Sequence, residues 1–285
     1  MLEVDITLVN AFVDGEAGGN PAGVALEGDR YTAEERQRIA AAAGFPETAF
    51  VCGSASADAR LVFHTPTRSI PHCGHATVAA FCELVASGRM TGPLRVNETV
   101  DGPRRIRIAD DLVFLEQVSP RLEALASARR EELLAALGIG AADLLPGFEP
   151  LRAFNGNGSI LVPLRDEATL ARLAPDMAAL TALSEALEVV GGYVFVPREG
   201  GERQAVVRMF APAYGIPEEA ATGMMAGPLG YWLSKVLGMP GSRFLLEQGR
   251  LMRPASPSLL QVELEGEVVW VGGRAKAVRR MKVSV

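Results

Sequence analysis

The feature that most constrains this chain is a segment that occurs twice. Residues 61–71 are LVFHTPTRSIP and residues 207–217 are VRMFAPAYGIP, so each copy joins a strand-like run to the pattern P-x-x-x-I-P. A turn of small residues and a helical stretch follow both copies. One strand–turn–helix unit in each half of a 285-residue chain indicates internal duplication. The two halves are therefore expected to share one fold.

The helix after each copy starts at a glycine within a small-residue turn, Gly74 in CGHAT and Gly223 in ATGMM. The first amide N–H groups of a helix have no partner inside the helix and favour an anion. Two such helix starts that face each other across a cleft would bind an anionic substrate. We therefore expect substrate contacts at Gly74 and Gly223.

Composition argues against several classes of partner. The net charge of −6 gives no sign of the basic face that nucleic acids or anionic membranes need. No apolar run approaches the ~18 residues of a membrane-spanning helix, and the acidic start MLEVD is not typical of a signal peptide. Cys52, Cys73 and Cys82 lack CxxC or zinc-type spacing and favour a reducing compartment. We predict a cytoplasmic protein without nucleic-acid or membrane partners.

Alternating apolar residues predict many short strands and few helices. With one apolar helix in each half, this pattern predicts an α+β fold of two similar halves, each a mostly antiparallel sheet or barrel wrapped around a central helix. The expected halves are residues 1–118 plus 275–285, and residues 119–274. The predicted helical segments are 33–43, with Thr32 as N-cap residue, about 75–87, 119–145, 168–187 and about 223–237.

Glu47 is the first candidate for proton transfer. It opens the apolar strand ETAFV, whose following residues are expected to be buried. Burial raises the pKa of a carboxylic acid and suits it to general acid–base work. An ordinary solvent-facing strand end is an equally good interpretation of this local pattern.

Cys73, Gly74 and His75 form the second candidate set. His75 could donate a hydrogen bond to the anion that the helix start binds. Alternatively, Gly74 only turns the chain, His75 caps the helix, and Cys73 is a small buried side chain.

The remaining candidates are polar residues at turns. Glu218 and Glu219 precede the second helix start, where Thr222 could cap the helix and where acids are favourable in any case. Asn20, in GGNP, either belongs to a simple turn or points its amide at the substrate.

Ten short segments, in this order, resemble the phenazine-biosynthesis PhzF-like family, whose members are isomerases with the diaminopimelate-epimerase fold. Each segment is weak alone, but together they cover nearly the whole chain. The segments are NAF (10–12), GGNPA (18–22), ETAFV (47–51), F-x-x-P (63–66), CGHAT (73–77), FAP (210–212), GIPE (215–218), TG (222–223), QG (248–249) and VGG (271–273).

This resemblance implies a homodimeric isomerase without cofactor or metal, with its active site between the two halves. It places proton transfer on a small carboxylated substrate at Glu47. It places the substrate-binding positions at Gly74, His75, Glu219, Thr222 and Gly223. The local patterns add Asn20 as a substrate-binding candidate and Cys73 as a further possible site residue.

Two departures from the family pattern lie around the second helix start. Glu219 stands where the family usually has aspartate, and Met224 replaces the serine that usually follows Thr-Gly. The extra methylene and the lost hydroxyl leave open whether the family's best-known substrate, a dihydro-hydroxyanthranilate, is used.

Two alternative functions remain open at this point. An amino-acid epimerase or racemase of the same fold uses one cysteine from each half, but no cysteine follows Cys82. A pair formed by Cys73 and Glu219 would be the remaining route to that chemistry. A non-catalytic small-molecule-binding homologue is the second alternative.

Overall fold

The computed structural model describes residues 2–100, 102–156 and 158–285, which form six α-helices and seventeen β-strands. The chain divides into two compact units. The first unit extends to Glu116 and includes Gly272–Val285, and the second is Gln117–Val271. None of the helices in the described ranges has the length and apolar character needed to cross a membrane.

The first unit contains two α-helices and most of the N-terminal strands. Its elements are β1 (Glu3–Ala11), β2 (Asn20–Ala25), a 3₁₀ turn (Gly28–Arg30), α1 (Ala33–Ala43), β3 (Thr48–Cys52), β4 (Ala59–His64), β5 (Ser69–Ile70), α2 (Gly74–Ala86), β6 (Leu94–Thr99), β7 (Gly102–Ala109) and β8 (Leu112–Val118).

The second unit contains the other four α-helices. Its elements are β9 (Arg121–Ala124), α3 (Ser127–Leu137), a 3₁₀ turn (Ala141–Asp143), β10 (Leu151–Phe154), β11 (Gly158–Pro163), α4 (Glu167–Arg172), α5 (Met177–Ala186), β12 (Gly192–Pro197), β13 (Ala205–Ala211), a 3₁₀ turn (Pro212–Tyr214), β14 (Ile216–Glu219), α6 (Gly223–Lys235), β15 (Arg243–Gln248) and β16 (Ser258–Glu265). The last strand, β17 (Val268–Ser284), continues from the second unit into the first.

Strand pairing is the same in the two units. The antiparallel pairs β1·β2, β3·β4, β4·β5 and β6·β7 correspond to β10·β11, β12·β13, β13·β14 and β15·β16. The parallel pairs β2·β3 and β4·β6 correspond to β11·β12 and β13·β15. The antiparallel pair β17·β1 corresponds to β9·β10. This shared topology is the structural expression of the repeat seen in the sequence.

One helix in each unit has a central stretch that is buried on all sides. Every residue from His75 to Phe81 of α2 is buried, and so is every residue from Met225 to Gly230 of α6. Helix α2 packs against β1, β2 and β3, and α6 packs against β15 and β16. Because a helix without a polar face belongs in a core, each unit is a mostly antiparallel sheet around its own helix. The predicted α+β fold class is confirmed.

Local signals placed α1 correctly, but two longer helical predictions need correction. Thr32 accepts a hydrogen bond from Glu35 N–H, and the Glu35 side chain accepts one from Thr32 N–H, which makes a capping box. Residues 121–124, predicted to be helical, form β9 because they pair with β10. The predicted helix 168–187 is interrupted between α4 and α5, where Pro175 cannot continue a helix.

We expect Gly191→Ala to destabilise the second unit strongly. A Cβ atom at this position would collide with the Phe210 carbonyl oxygen, a backbone atom that cannot move aside cheaply. The expected loss in free energy of unfolding is about 3 kcal/mol, the upper end for overpacking, measured by urea denaturation. Gly192→Ala is the matched control, because its Cβ would lie 3.8 Å from Val194 Cγ2. Equal stability of the two variants would contradict this packing.

Candidate active site

Three of the predicted site residues lie together in the first unit. Glu47 immediately precedes β3, Cys73 is the N-cap residue of α2, and His75 is the second residue of that helix. The Glu47 Oε2 atom lies 3.1 Å from His75 Nε2, and the two side chains are 12% and 6% exposed. The Cys73 sulfur lies 3.6 Å from His75 Nδ1 and 3.8 Å from Nε2. We call Glu47, Cys73 and His75 the first-unit cluster.

The electrostatics of this cluster favour a charged His75 ring. Burial disfavours a charged imidazole, but Cys73 and Glu47 outweigh that cost and raise the pKa of His75 well above its usual value. Burial raises the pKa of the Cys73 thiol, and the neighbouring His75 ring opposes that effect. The Glu47 carboxyl group, 3.1 Å away, is the oxygen partner of the ring.

The first-unit cluster also has the residue types of a metal site. One ligand atom from each residue lies within 4.8 Å of the others. A metal ion would displace protons from the imidazole and the thiol, so any binding here would strengthen as pH rises.

Gly74 is the first residue of α2, and its N-cap residue Cys73 makes no side-chain capping bond. Thr77 binds the Cys73 carbonyl oxygen through both its backbone N–H, at 3.0 Å, and its hydroxyl, at 2.8 Å. Helix starts of this kind can bind anions through their first amides. Asn20 is the first residue of β2, buried and in register with Ala11.

A second set of polar residues surrounds the start of α6. Glu219 ends β14, Thr222 is the N-cap residue, and Gly223 is the first helical residue. The Thr222 hydroxyl donates to Glu219 Oε2 at 2.5 Å, so it binds a carboxylate and makes no capping bond to the helix. Gln248 and Tyr193, both fully buried, complete this second-unit cluster. Tyr193 OH lies 3.2 Å from Gln248 Oε1.

The two neighbouring glutamates have different environments. Glu218 forms two hydrogen bonds with Arg208, both at 2.8 Å, and Arg208 also binds the Leu170 and Leu173 carbonyl oxygens. This pair holds β14 against the unit's core. Glu219 instead lies beside Thr222, whose hydroxyl donates to it.

A proline inside α6 determines how its first turn is held. Pro228 has no N–H, so it cannot bind the carbonyl oxygen of Met224 four residues earlier. The Asn155 side chain donates to that oxygen at 2.9 Å instead. Gln117 similarly donates to the Gly223 carbonyl oxygen at 2.9 Å, and Asn155 donates to Gln117 Oε1. Side chains distant in sequence therefore fix the start of α6.

Sequence reasoning gave no role to Gln248, Tyr193, Gln117 or Asn155. The segment QG at 248–249 contributed to the family resemblance, but nothing local connects Gln248 to Thr222. Their contact spans 26 residues of sequence and depends on the pairing of β13 with both β14 and β15.

Comparison with known proteins identifies the family. Residues 9–281 match the family described as "Phenazine biosynthesis-like protein". The chain belongs to this family. The resemblance to the PhzF-like family seen in the sequence is thereby confirmed.

Two relatives and one solved structure support this assignment. Uncharacterized isomerase YddE of Escherichia coli (strain K12) is 36% identical over 233 residues, 79% of this chain and 77% of the relative. Trans-2,3-dihydro-3-hydroxyanthranilate isomerase of Pseudomonas aeruginosa is 31% identical over 280 residues, 95% and 92% of the two chains. The PhzF-family crystal structure from Bacillus anthracis shares the fold, with a TM-score of 0.88, 24% identity and full coverage of both chains. This chain is an isomerase of the family.

We expect NMR titration to give a higher pKa for His75 than for His64. His75 should titrate well above 6.5 because of its partners, whereas burial and nearby Arg36 lower the pKa of His64. In Glu47→Gln the His75 midpoint should fall, since the carboxylate that favours the charged ring is gone. A His75 midpoint at or below 6.5 that Glu47→Gln does not move would contradict the pair.

The same pair should make stability depend on pH. The folded-state pKa of His75 is raised above its unfolded value, so its contribution is fully present below about pH 6.5 and is lost as pH rises through the folded pKa. The difference in free energy of unfolding between wild type and His75→Gln should therefore shrink toward alkaline pH, measured by denaturation in a pH series. A difference independent of pH would exclude this charge pair as its source.

Proposed function

We propose that this protein is a cofactor-independent isomerase that moves a proton on a small carboxylated substrate, with Glu47 as the acid–base group. The observation that carries the proposal is the buried contact of 3.1 Å between Glu47 and His75. A carboxylate in this position can take a proton from a carbon next to a carboxyl group or conjugated system and return it elsewhere. A single base delivers the proton to the face from which it came, so the transfer is suprafacial.

His75 and the start of α2 supply positive charge for this reaction. The charged His75 ring lies 3.1 Å from the Glu47 carboxyl group and places positive charge beside the group proposed to accept the proton. The first amides of α2, beginning at Gly74, and the His75 ring would bind the substrate's anionic group and stabilise negative charge that develops during proton removal.

We assign substrate binding in the same reaction to Asn20 and to the second-unit residues Glu219, Thr222 and Gly223. This assignment is supported by the two matching helix starts, which have the same place in the duplicated topology. We also propose a cytoplasmic homodimer. The three free cysteines are compatible with a reducing compartment, and analytical ultracentrifugation would test the dimer.

The substrate class is small and carboxylated, as in the Pseudomonas aeruginosa relative named for trans-2,3-dihydro-3-hydroxyanthranilate. Compared with the aspartate and serine usual in the family, Glu219 is longer by one methylene and Met224 lacks a hydroxyl. We therefore propose that the natural substrate differs from that compound near this helix start, while retaining the carboxyl group.

We expect wild-type protein in deuterium oxide to introduce solvent deuterium into a carboxylated ligand, detected by mass spectrometry. Trans-2,3-dihydro-3-hydroxyanthranilate is the first compound to test, followed by other cyclic and acyclic carboxylates. Glu47→Gln should lose at least about 100-fold in exchange rate, because general acid–base catalysis contributes 10²–10⁴-fold.

Glu185→Gln, which changes an exposed glutamate on α5, is the matched control and should exchange at the wild-type rate. If a ligand binds but gains no deuterium from the wild type, or gains it equally from Glu47→Gln, the assignment of Glu47 fails.

One observation favours a thiol-dependent epimerase as the second candidate, namely the contact between Cys73 and His75. The raised pKa of the thiol weakens this alternative, because the thiolate is the reactive form. We expect Cys73→Ser to retain exchange within about threefold of wild type. Exchange abolished in Cys73→Ser but kept in Glu47→Gln would support the epimerase.

A further inference from the structure

Gln248 has a buried side-chain amide that is held by hydrogen bonds within the second-unit cluster. It ends β15 and is fully buried. Its amide makes four hydrogen bonds, to two backbone groups and two hydroxyl groups, so a group that is costly to bury is completely satisfied. Three of these bonds go to Glu219 and Thr222, on either side of the turn before α6.

Two backbone groups fix the orientation of the Gln248 amide. Its nitrogen lies 2.7 Å from the Glu219 carbonyl oxygen, which can only accept. Its oxygen lies 3.1 Å from the Thr222 backbone N–H, which can only donate. A rotated amide would place donor against donor and acceptor against acceptor, so only one orientation is compatible with both contacts.

This orientation determines the direction of the Thr222 hydroxyl. The second hydrogen of the Gln248 amide nitrogen points to Thr222 Oγ1, 3.0 Å away, so the hydroxyl oxygen accepts a hydrogen bond there. The hydroxyl must then donate elsewhere. Among the described residues, Glu219 Oε2 at 2.5 Å is the acceptor within reach.

Tyr193 supports the same arrangement through a hydrogen bond to the Gln248 amide oxygen. Burial raises the pKa of Tyr193, so its hydroxyl remains protonated and donates to Gln248 Oε1. The side-chain hydrogen bonds from Tyr193 through Gln248 and Thr222 therefore run in one sense, ending on the Glu219 carboxylate.

We propose that Gln248 is a positioning residue that turns the Thr222 hydroxyl onto Glu219 and so presents Glu219 as a fixed hydrogen-bond acceptor. Resting on the proposed function, this assigns Glu219 to a substrate group that donates a hydrogen bond, an amine or a hydroxyl. The substrate carboxylate does not bind there, because two acceptors repel. Glu219 consequently orients the substrate, while Glu47 moves the proton.

Gln248→Met tests this role, because methionine has similar length but neither donor nor acceptor. A crystal structure of Gln248→Met, compared with that of wild type, should show loss of the contact between Thr222 Oγ1 and Glu219 Oε2. Glu219 should adopt a new conformation or more than one conformation. An unchanged Glu219 carboxylate still bound by Thr222 would overturn the proposal. Should Gln248→Met not fold, Thr222→Val and Thr222→Ser give the same comparison, since only serine keeps the hydroxyl.

Kinetics distinguish positioning from general stability. In the deuterium-exchange assay, Gln248→Met should lose about tenfold in kcat/KM, but less than twofold when introduced into Glu219→Gln, where the carboxylate it orients is absent. An equal loss in both backgrounds would mean that Gln248 acts independently of Glu219 and would contradict the proposal.

The crystallographic comparison needs no substrate, so failure of the proposed function is recognised separately. Absence of exchange by the wild type would reject the isomerase mechanism, whereas the position of the Glu219 carboxylate would still decide the role of Gln248.

As a ligand probe, an aminocarboxylate should bind wild type more tightly than its analogue without the amine, and this preference should diminish in Glu219→Gln. No such preference would reject the donor-group assignment.

Discussion

Burial of the central turns of one helix in each unit is the constraint on which the local structure depends. A buried helix start must satisfy its backbone groups without water, or leave them for a ligand. In the second unit, three amide side chains, Gln117, Asn155 and Gln248, meet this requirement around α6. In the first unit, the Thr77 hydroxyl binds the N-cap carbonyl of α2, and the N-cap residue Cys73 makes no side-chain capping bond. The groups at the two helix starts are those that we propose contact the substrate.

The duplicated topology supports unequal chemistry in the two units. Corresponding strands and helices have the same pairings, yet the first unit brings a carboxylate, an imidazole and a thiol together at α2. At the corresponding start of α6, the second unit has a carboxylate whose neighbours are a hydroxyl and an amide. One set has the side-chain types of acid–base chemistry, and the other offers directional hydrogen bonds. Duplication thus preserved the strand pairings and the two helix starts, while the side chains placed around them differ.

Features encoded within a few residues could be predicted from sequence, and those encoded across strands could not. Thr32 and Glu35 lie one turn apart, so the capping box of α1 is visible in the sequence. The helix starts at Gly74 and Gly223 were also located correctly. Residues 121–124 have helical composition, but pairing with β10 outweighs that weak preference. The contact of Gln248 with Thr222 requires the order of three strands, which no local pattern reveals.

Pro228 also constrains the order in which this part of the chain can change during evolution. While proline is present, loss of Asn155 would leave the Met224 carbonyl oxygen without the donor that now satisfies it. A residue with an N–H at 228 could restore the ordinary helical bond, after which position 155 would be freer to vary. The two positions are 73 residues apart in sequence, yet the order in which they change matters. Replacement of Pro228 first makes a later change of Asn155 tolerable, whereas a change of Asn155 first leaves the Met224 carbonyl oxygen without its donor.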